Sequence, residues 1–157
     1  MKQTTLCFCI KDDQVLLAMK TRGFGTGKWN GYGGHIEEGE GPKAAAVREL
    51  KEESGLVADE KDLDQAAVVR FNFGGRPKIE CFVYLVHAWQ GEAVESEEMS
   101  LPRWYSIANL PFGEMWAADA RWIPLVLSGK KIEARVDFNA DGSAVDDFSY
   151  SSAEFNQ

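Results

Sequence analysis

The sequence predicts an α+β fold in which a mixed β-sheet is flanked by helices. Three observations lead there. Short stretches of alternating apolar and polar residues recur along the chain, bounded by clusters of Gly, Asp and Asn, as strands require. Two other segments carry helix signals instead, one opening at Pro42 and closing at Gly55, the other spanning about 117–127. At 157 residues, 45% hydrophobic and 11% aromatic, the chain can bury a real core, and residues 1–157 are expected to form a single domain.

Taken in order, residues 4–10 and 15–19 read as strands joined at Lys11-Asp12-Asp13-Gln14. A segment at 20–34 follows, with six glycines among aromatic residues. Glycine at that density predicts a backbone that approaches a ligand closely. Trp29 and Tyr32 are costly to leave exposed, so this segment should be an ordered pocket wall. Pro42 suits a first helical turn, Ala44, Ala45 and Ala46 are strong helix formers, and Gly55 can end the helix in the left-handed conformation. At about 100° per residue, Ala44, Val47 and Leu50 should face the core, with Ala45 and Ala46 flanking Glu49. Residues 67–73 and 79–89 read as a hairpin around Gly74-Gly75-Arg76-Pro77, and a short strand is expected at 101–105. The chain closes with a helix over 117–127 and a hairpin of 132–138 and 144–150, turning at Asn139-Ala140-Asp141-Gly142. Mixed strands and two substantial helices make a layered sandwich.

Composition narrows the function. A net charge of −8 argues against a nucleic-acid polymer as partner, since that needs a basic footprint. A single nucleotide stays open, because metal and a few lysines can reverse the local sign. No apolar run approaches the ~20 residues of a membrane span, and Met1-Lys2-Gln3-Thr4-Thr5 leads straight into a strand without a signal-peptide layout. Cys7, Cys9 and Cys81 form an odd set without a Cys-x-x-Cys pair, which fits a reduced cytoplasmic compartment. Cys7 and Cys9 share one strand face, in core or pocket wall. A monomer is expected.

The chemistry concentrates on the first helix. Glu49, Glu52 and Glu53 stand at i, i+3 and i+4 and project from one face. Like charges at that spacing destabilise a bare helix, so a positive group should sit among them. A divalent cation held by hard oxygen ligands, Mg²⁺ or Mn²⁺, answers that need. Arg48 can hold one of the carboxylates by a charge-assisted hydrogen bond. The bland alternative is a solvated acidic face, the usual meaning of a charge run.

The whole constellation decides against the bland reading. Gly34, Glu40, Arg48-Glu49-Leu50, Glu52-Glu53 and Gly55-Leu56 match all nine fixed positions of the Nudix box. The chain is therefore similar to the Nudix hydrolases. Lys20-Thr21-Arg22-Gly23-Phe24-Gly25, Trp29-Asn30-Gly31, Val94-Glu95-Ser96-Glu97-Glu98-Met99 and Leu110-Pro111-Phe112-Gly113-Glu114-Met115-Trp116 resemble its MutT-like members that act on oxidised purine nucleotides. The likeness runs from Thr5 to the C-terminal hairpin.

This resemblance implies an α/β/α Nudix sandwich and metal-dependent hydrolysis of a nucleoside triphosphate, such as 8-oxo-dGTP, to monophosphate and pyrophosphate. It implies metal ligation by Glu49, Glu52, Glu53, Glu98 and the Gly33 carbonyl. Glu53 or Glu49 serves as general base beside Arg48, and the residues leave that choice open. Without the resemblance, Glu98 is one solvated carboxylate in an acidic loop. The matching substrate contacts are Thr5, Lys20, Phe24, Asn30, Trp116 and Asp119, with Tyr32, Gly34 and His35 added from the glycine-rich segment. Phe24 and Trp116 offer flat faces for a purine, and Asn30 can donate to and accept from its edge. By residue type alone, Trp116 and Trp122 read as core. His35 stands where the family has lysine and is either a loop residue or a phosphate-side contact. Ala118 departs from a pair of adjacent aspartates and leaves only Asp119. Two rival readings accompany this one: a Nudix hydrolase for ADP-ribose or dinucleotides, and a non-catalytic nucleotide-binding scaffold.

Overall fold

The strand β1 (Lys2–Lys11) shows how the layers arise, because its side chains alternate between two cores. Leu6 and Phe8 enter the larger core, while Cys7 and Cys9 enter the smaller one on the opposite face. The computed structural model describes residues 1–155. Among them, β1, β2 (Gln14–Lys20), β3 (Trp29–Asn30), β4 (Leu63–Phe73), β5 (Arg76–Val86), β6 (Met99–Ser106), β7 (Ile132–Phe138) and β8 (Val145–Ser152) form a mixed sheet. Its order is β3-β2-β1-β5-β4-β7-β8, with β6 paired to β2. β1 runs parallel to β5 and β4 parallel to β7, and the other pairs are antiparallel.

The helix α1 (Pro42–Ser54) packs against the smaller core through Ala46 and Leu50, beside Leu16, Tyr84 and Leu56. The helix α2 (Asp119–Leu127) covers the other face, where Trp122, Ile123 and Val126 meet Phe8, Val69 and Val83. Each large apolar side chain fully buried this way contributes about 1.5–3 kcal/mol. This is the helix-sheet-helix sandwich that the periodicities imply. Gly55 ends α1 in the left-handed conformation, and its N–H donates to the Lys51 carbonyl.

Several boundaries differ from the sequence expectation. The first hairpin turns more tightly: Phe73 pairs with Arg76, so only Gly74 and Gly75 form the loop, both at positive φ. Pro77 therefore lies inside β5 instead of in the turn. β5 also stops at Val86, leaving Trp89 beyond the strand to stack on Trp104 at 5.9 Å. α2 begins two residues later than its pattern, because the Trp116 N–H is taken by the Asp119 carboxylate in the preceding turn. The third strand was hidden in the glycine-rich segment, where two residues are too few to show a period.

The core-facing side of α1 is wider than expected: Leu50 is fully buried and Val47 packs against the smaller core, as their spacing requires, but they are not alone. Ala45 and Ala46 are fully buried, whereas Ala44 and Val47 are half-buried. The buried stripe thus runs through Ala45, Ala46, Leu50 and Glu53. Of the acidic face, Glu53 is turned into the protein and Glu52 is turned out.

Candidate active site

Two elements of the acidic end come from α1 and the segment before it. Glu53 is 4% exposed, while the Glu52 side chain is 57% exposed. The three helix carboxylates therefore do not share one environment. The Gly33 N–H donates to Glu53 Oε1 at 3.0 Å. Around it, Tyr32 and Gly34 pair with β1, through Cys7 N–H to the Tyr32 carbonyl and Thr5 N–H to the Gly34 carbonyl. An extended chain alternates its hydrogen-bonding sides, so both the N–H and the C=O of Gly33 turn from β1 toward α1. A Cβ on Gly33 would strike the Thr5 carbonyl, and one on Gly34 would lie 2.5 Å from the Glu49 carboxyl carbon. These two glycines make room for β1 and for Glu49, and both also line the cavity beside Glu53.

Arg48 organises the carboxylates. It grips Glu40 with two bonds, Nε to Oε2 at 2.8 Å and Nη2 to Oε1 at 2.9 Å. Its Nη1 reaches Glu49 Oε1 at 2.9 Å and Glu52 Oε2 at 3.2 Å, and Nη2 also donates to the His35 carbonyl. The positive group expected among the glutamates is thus, in the first instance, a guanidinium. The hydrogen bond from Arg48 holds Glu40 below the usual carboxylate range. Burial raises Glu49 despite Arg48.

Glu98 arrives from the loop before β6, pinned by Thr21 N–H to its own carbonyl at 2.8 Å. Its carboxylate accepts from Lys20 Nζ at 3.2 Å and lies 3.6 Å from Arg22. Burial pushes Glu53 up to about 8; the Gly33 N–H opposes that shift and the neighbouring Glu98 carboxyl adds to it. Burial would raise Glu98 too, but its partnership with Glu53, Lys20 and Arg22 leaves it lowered. A proton shared by the pair belongs to Glu53.

Among the described residues no three acidic, His or Cys side chains already converge as a finished metal site. The reason is visible: Arg48 and Lys20 draw Glu49, Glu52 and Glu98 onto themselves. The donor set nevertheless fits a hard divalent cation. Glu53 Oε2 is enclosed without a hydrogen-bond partner, and the Glu49 and Glu98 carboxylates are close enough to perturb it.

Next to Glu53 opens a cavity of about 200 Å³. Thr5, Lys20, Asn30 and Asp119 all line it, as expected. Phe24 and Trp116 line it as well, but they stack on each other at 4.9 Å and 21°. Together they form one aromatic wall of the cavity. Asn30 Oδ1 accepts from the Gly31 N–H, which leaves its amide hydrogens for the cavity. Asp119 is buried, and burial pushes its carboxyl up to about 7 against the Trp116 N–H. One further expectation is corrected, the place of Trp29 and Tyr32 in a pocket wall. Tyr32 is fully buried in the smaller core, and Trp29 packs edge-on to Tyr105 in the larger. His35 is exposed, bridging Thr4 through its backbone.

The sequence reading missed Phe71, Phe73 and Phe138 in the cavity lining, although Phe71 and Phe73 at i, i+2 already shared a strand face. It also missed Lys28, over the Trp116 ring at 5.2 Å, and Lys78, over Phe24 at 4.9 Å. No local pattern marks either lysine.

Residues 1–126 match the family model described as the NUDIX domain. The chain belongs to the Nudix family. It is 43% identical over 131 residues to the oxidized purine nucleoside triphosphate hydrolase of Danio rerio, covering 83% of this chain and 82% of that protein. Identity to the Mus musculus protein of the same name is 41% over 128 residues, covering 81% and 80%. The crystal structure of a MutT protein from Bacillus halodurans superposes with a TM-score of 0.78, over 96% of this chain and 97% of that one. Its 21% identity speaks for the Nudix fold alone.

Proposed function

We propose that this Nudix hydrolase converts oxidised purine nucleoside triphosphates, such as 8-oxo-dGTP, to monophosphate and pyrophosphate with the help of Mg²⁺ or Mn²⁺. The observation that carries the reading is the juxtaposition of a buried carboxylate, Glu53, with an aromatic cavity that ends on the buried Asp119. The names of the two vertebrate relatives support the substrate class. At about 200 Å³ the cavity suits a flat base, leaving ribose and phosphates outside it.

Glu49, Glu53, Glu98 and the Gly33 carbonyl would hold the cation, with Glu52 at the exposed edge. When bound, it neutralises the phosphates and lowers the pKa of an attacking water. Arg48 keeps Glu49 and Glu40 in place by charge-assisted hydrogen bonds. Lys20, now on Glu98, is the side chain placed to follow the phosphates as the carboxylate is claimed. Glu53 is the better general base of the two candidates, because it is buried beside the cavity with its Oε2 unpartnered, whereas Glu49 is held by Arg48. The Asn30 amide and the Asp119 carboxyl read the base edge. Residues 1–157 act as one domain and as a monomer in this reading. The three unpaired, buried thiols support a reducing, cytoplasmic location. Among the described residues no helix is long and apolar enough to cross a membrane.

A pyrophosphate-release assay over normal and oxidised nucleotides, with and without Mg²⁺, tests the proposal. Highest kcat/KM on an oxidised purine triphosphate is expected. Best turnover of ADP-ribose or a dinucleotide, or no metal-dependent turnover of any nucleotide, would overturn it.

A further inference from the structure

Trp122 sits at the deep end of the cavity, fully buried between Phe8 and Phe71. Its indole Nε1 is enclosed by protein and has no hydrogen-bond acceptor among the described residues. Buried indole N–H groups ordinarily find one. The nearest carboxyl, Asp119, lies close enough to be affected by the indole but does not accept from it with hydrogen-bond geometry. Asp119 Oδ2 is engaged by the Trp116 N–H at 3.0 Å. One helical turn before Trp122, where a side chain could reach it, stands Ala118, fully buried and without an acceptor. Across the cavity on β1, Thr5 Oγ1 is likewise enclosed and unpartnered. The indole N–H is thus a donor in the wall of the cavity whose neighbouring carboxyl, Asp119, falls short of hydrogen-bond geometry, and no other acceptor among the described residues receives it.

We propose that Trp122 is a base-reading residue whose indole N–H donates to the carbonyl at position 6 of the purine, selecting 6-oxopurines over 6-aminopurines. This rests on the substrate reading above and deepens it. The other polar groups at that end agree. Asn30 has spent its oxygen on the Gly31 N–H and offers amide hydrogens, and the Thr5 hydroxyl can donate as well. Donors at that floor match the carbonyl at position 6, the acceptor that a 6-oxopurine presents there. An exocyclic amine there would leave two donors facing each other, and a site built of buried polar groups discriminates strongly against such a mismatch.

The test uses the monophosphates 8-oxo-dGMP and 8-oxo-dAMP, which share the oxidised five-membered ring and carry a carbonyl and an amine at position 6. Calorimetry gives Kd for each with the wild type and with Trp122→Phe, which keeps an aromatic ring and removes the N–H. Phe is expected to weaken 8-oxo-dGMP by roughly tenfold and 8-oxo-dAMP much less, so that the preference narrows. Equal losses for both nucleotides, or no loss, would overturn the proposal. A second measurement needs no variant. In the wild type, the Trp122 indole proton, assigned by NMR through its contacts with Phe8 and Phe71, should move downfield with 8-oxo-dGMP and not with 8-oxo-dAMP. An unmoved resonance in a saturated complex overturns the proposal while leaving the substrate class standing. A wild type that binds neither nucleotide removes the substrate class, and this inference with it.

Discussion

At one end of the site Arg48 binds Glu40, Glu49 and Glu52 through charge-assisted hydrogen bonds; at the other, stacked rings enclose polar groups that have no partners. The acidic end is a partly exposed network in which one guanidinium serves three carboxylates, so negative charge is left over for a further cation. The aromatic end is more apolar and more enclosed, so each unmatched N–H or hydroxyl is worth more there. The two ends therefore answer different parts of a nucleotide. Ionic pairing at the acidic end favours any polyphosphate with its cation, and chooses little between bases. The cavity end carries the discrimination, because a buried polar group rejects a wrong partner by the cost of leaving both unpaired. Glu53 stands at the boundary, a carboxylate of the acidic end with the burial of the aromatic end.

That contrast predicts which changes hurt most. Glu53→Gln should lower kcat by about a hundredfold or more, the usual size of a lost general base, while leaving nucleotide binding partly intact. Without metal the same change should raise the melting temperature at pH 8 and above. The folded-state value of Glu53 lies near 8, above the ordinary carboxylate range, so the folded form is penalised as pH rises through that window. A variant that turns over at the wild-type rate would remove Glu53 from the chemistry.

Mg²⁺ should stabilise the protein by about 2.7 kcal/mol at a hundredfold excess over Kd, read as a rise in melting temperature that EDTA reverses. The gain should shrink in Glu98→Ala more than in Glu97→Ala, since the Glu97 carboxylate is exposed on Arg22 and the Glu98 carboxylate lies beside Glu53. Identical behaviour of the two variants would place Glu98 outside the cation site.

Arg48→Lys keeps the charge but cannot grip Glu40 with two bonds while reaching Glu49 and Glu52. A roughly tenfold loss of kcat is expected, from the loss of one or two charge-assisted bonds, with base preference unchanged. A shift in base preference would show that the two ends are not separable.

Asp119→Asn probes the cavity end by pH. Burial places the folded-state value near 7, above that of the unfolded chain near 4. Below about pH 4 both states hold the proton and there is no difference. Between about 4 and 7 the unfolded chain has lost it and the folded one has not, so this group lowers stability as pH rises. The variant should flatten that part of the stability curve, by up to about 1.4 kcal/mol per pH unit. Melting curves of the nucleotide-free protein from pH 4 to 8 check this; an unchanged slope would contradict it. The smallest effect is expected for Ala118→Asp, which restores a carboxylate near the Trp122 N–H and should widen the range of oxidised bases accepted.

The acidic end was legible because it is local. Its carboxylates, Arg48 and the glycines lie in one helix and the segment before it, where a 3.6-residue period links spacing to geometry. Even so, spacing alone could not say that Ala45 and Ala46 are buried and Ala44 is not. That depends on how α1 is rotated on β1, which the packing around Cys7, Cys9 and Tyr84 settles. The cavity was legible only where resemblance pointed. Thr5, Asn30, Phe73, Trp116 and Phe138 come from different elements, and nothing in their separate neighbourhoods announces that they meet.

From the sequence by itself came the layered α+β class, the acidic helix with its ends at Pro42 and Gly55, and the family to which the chain belongs. These follow from short-range periodicity, capping and a fixed motif. The tertiary structure alone decided that Tyr32 is core and Trp122 is cavity floor, and that Phe24 and Trp116 stack on each other. It also decided that Arg48 reaches three of the glutamates at once and not one. Burial, partnership and proton affinity belong to neighbours brought together by the sheet, and such neighbours have no signature along the chain.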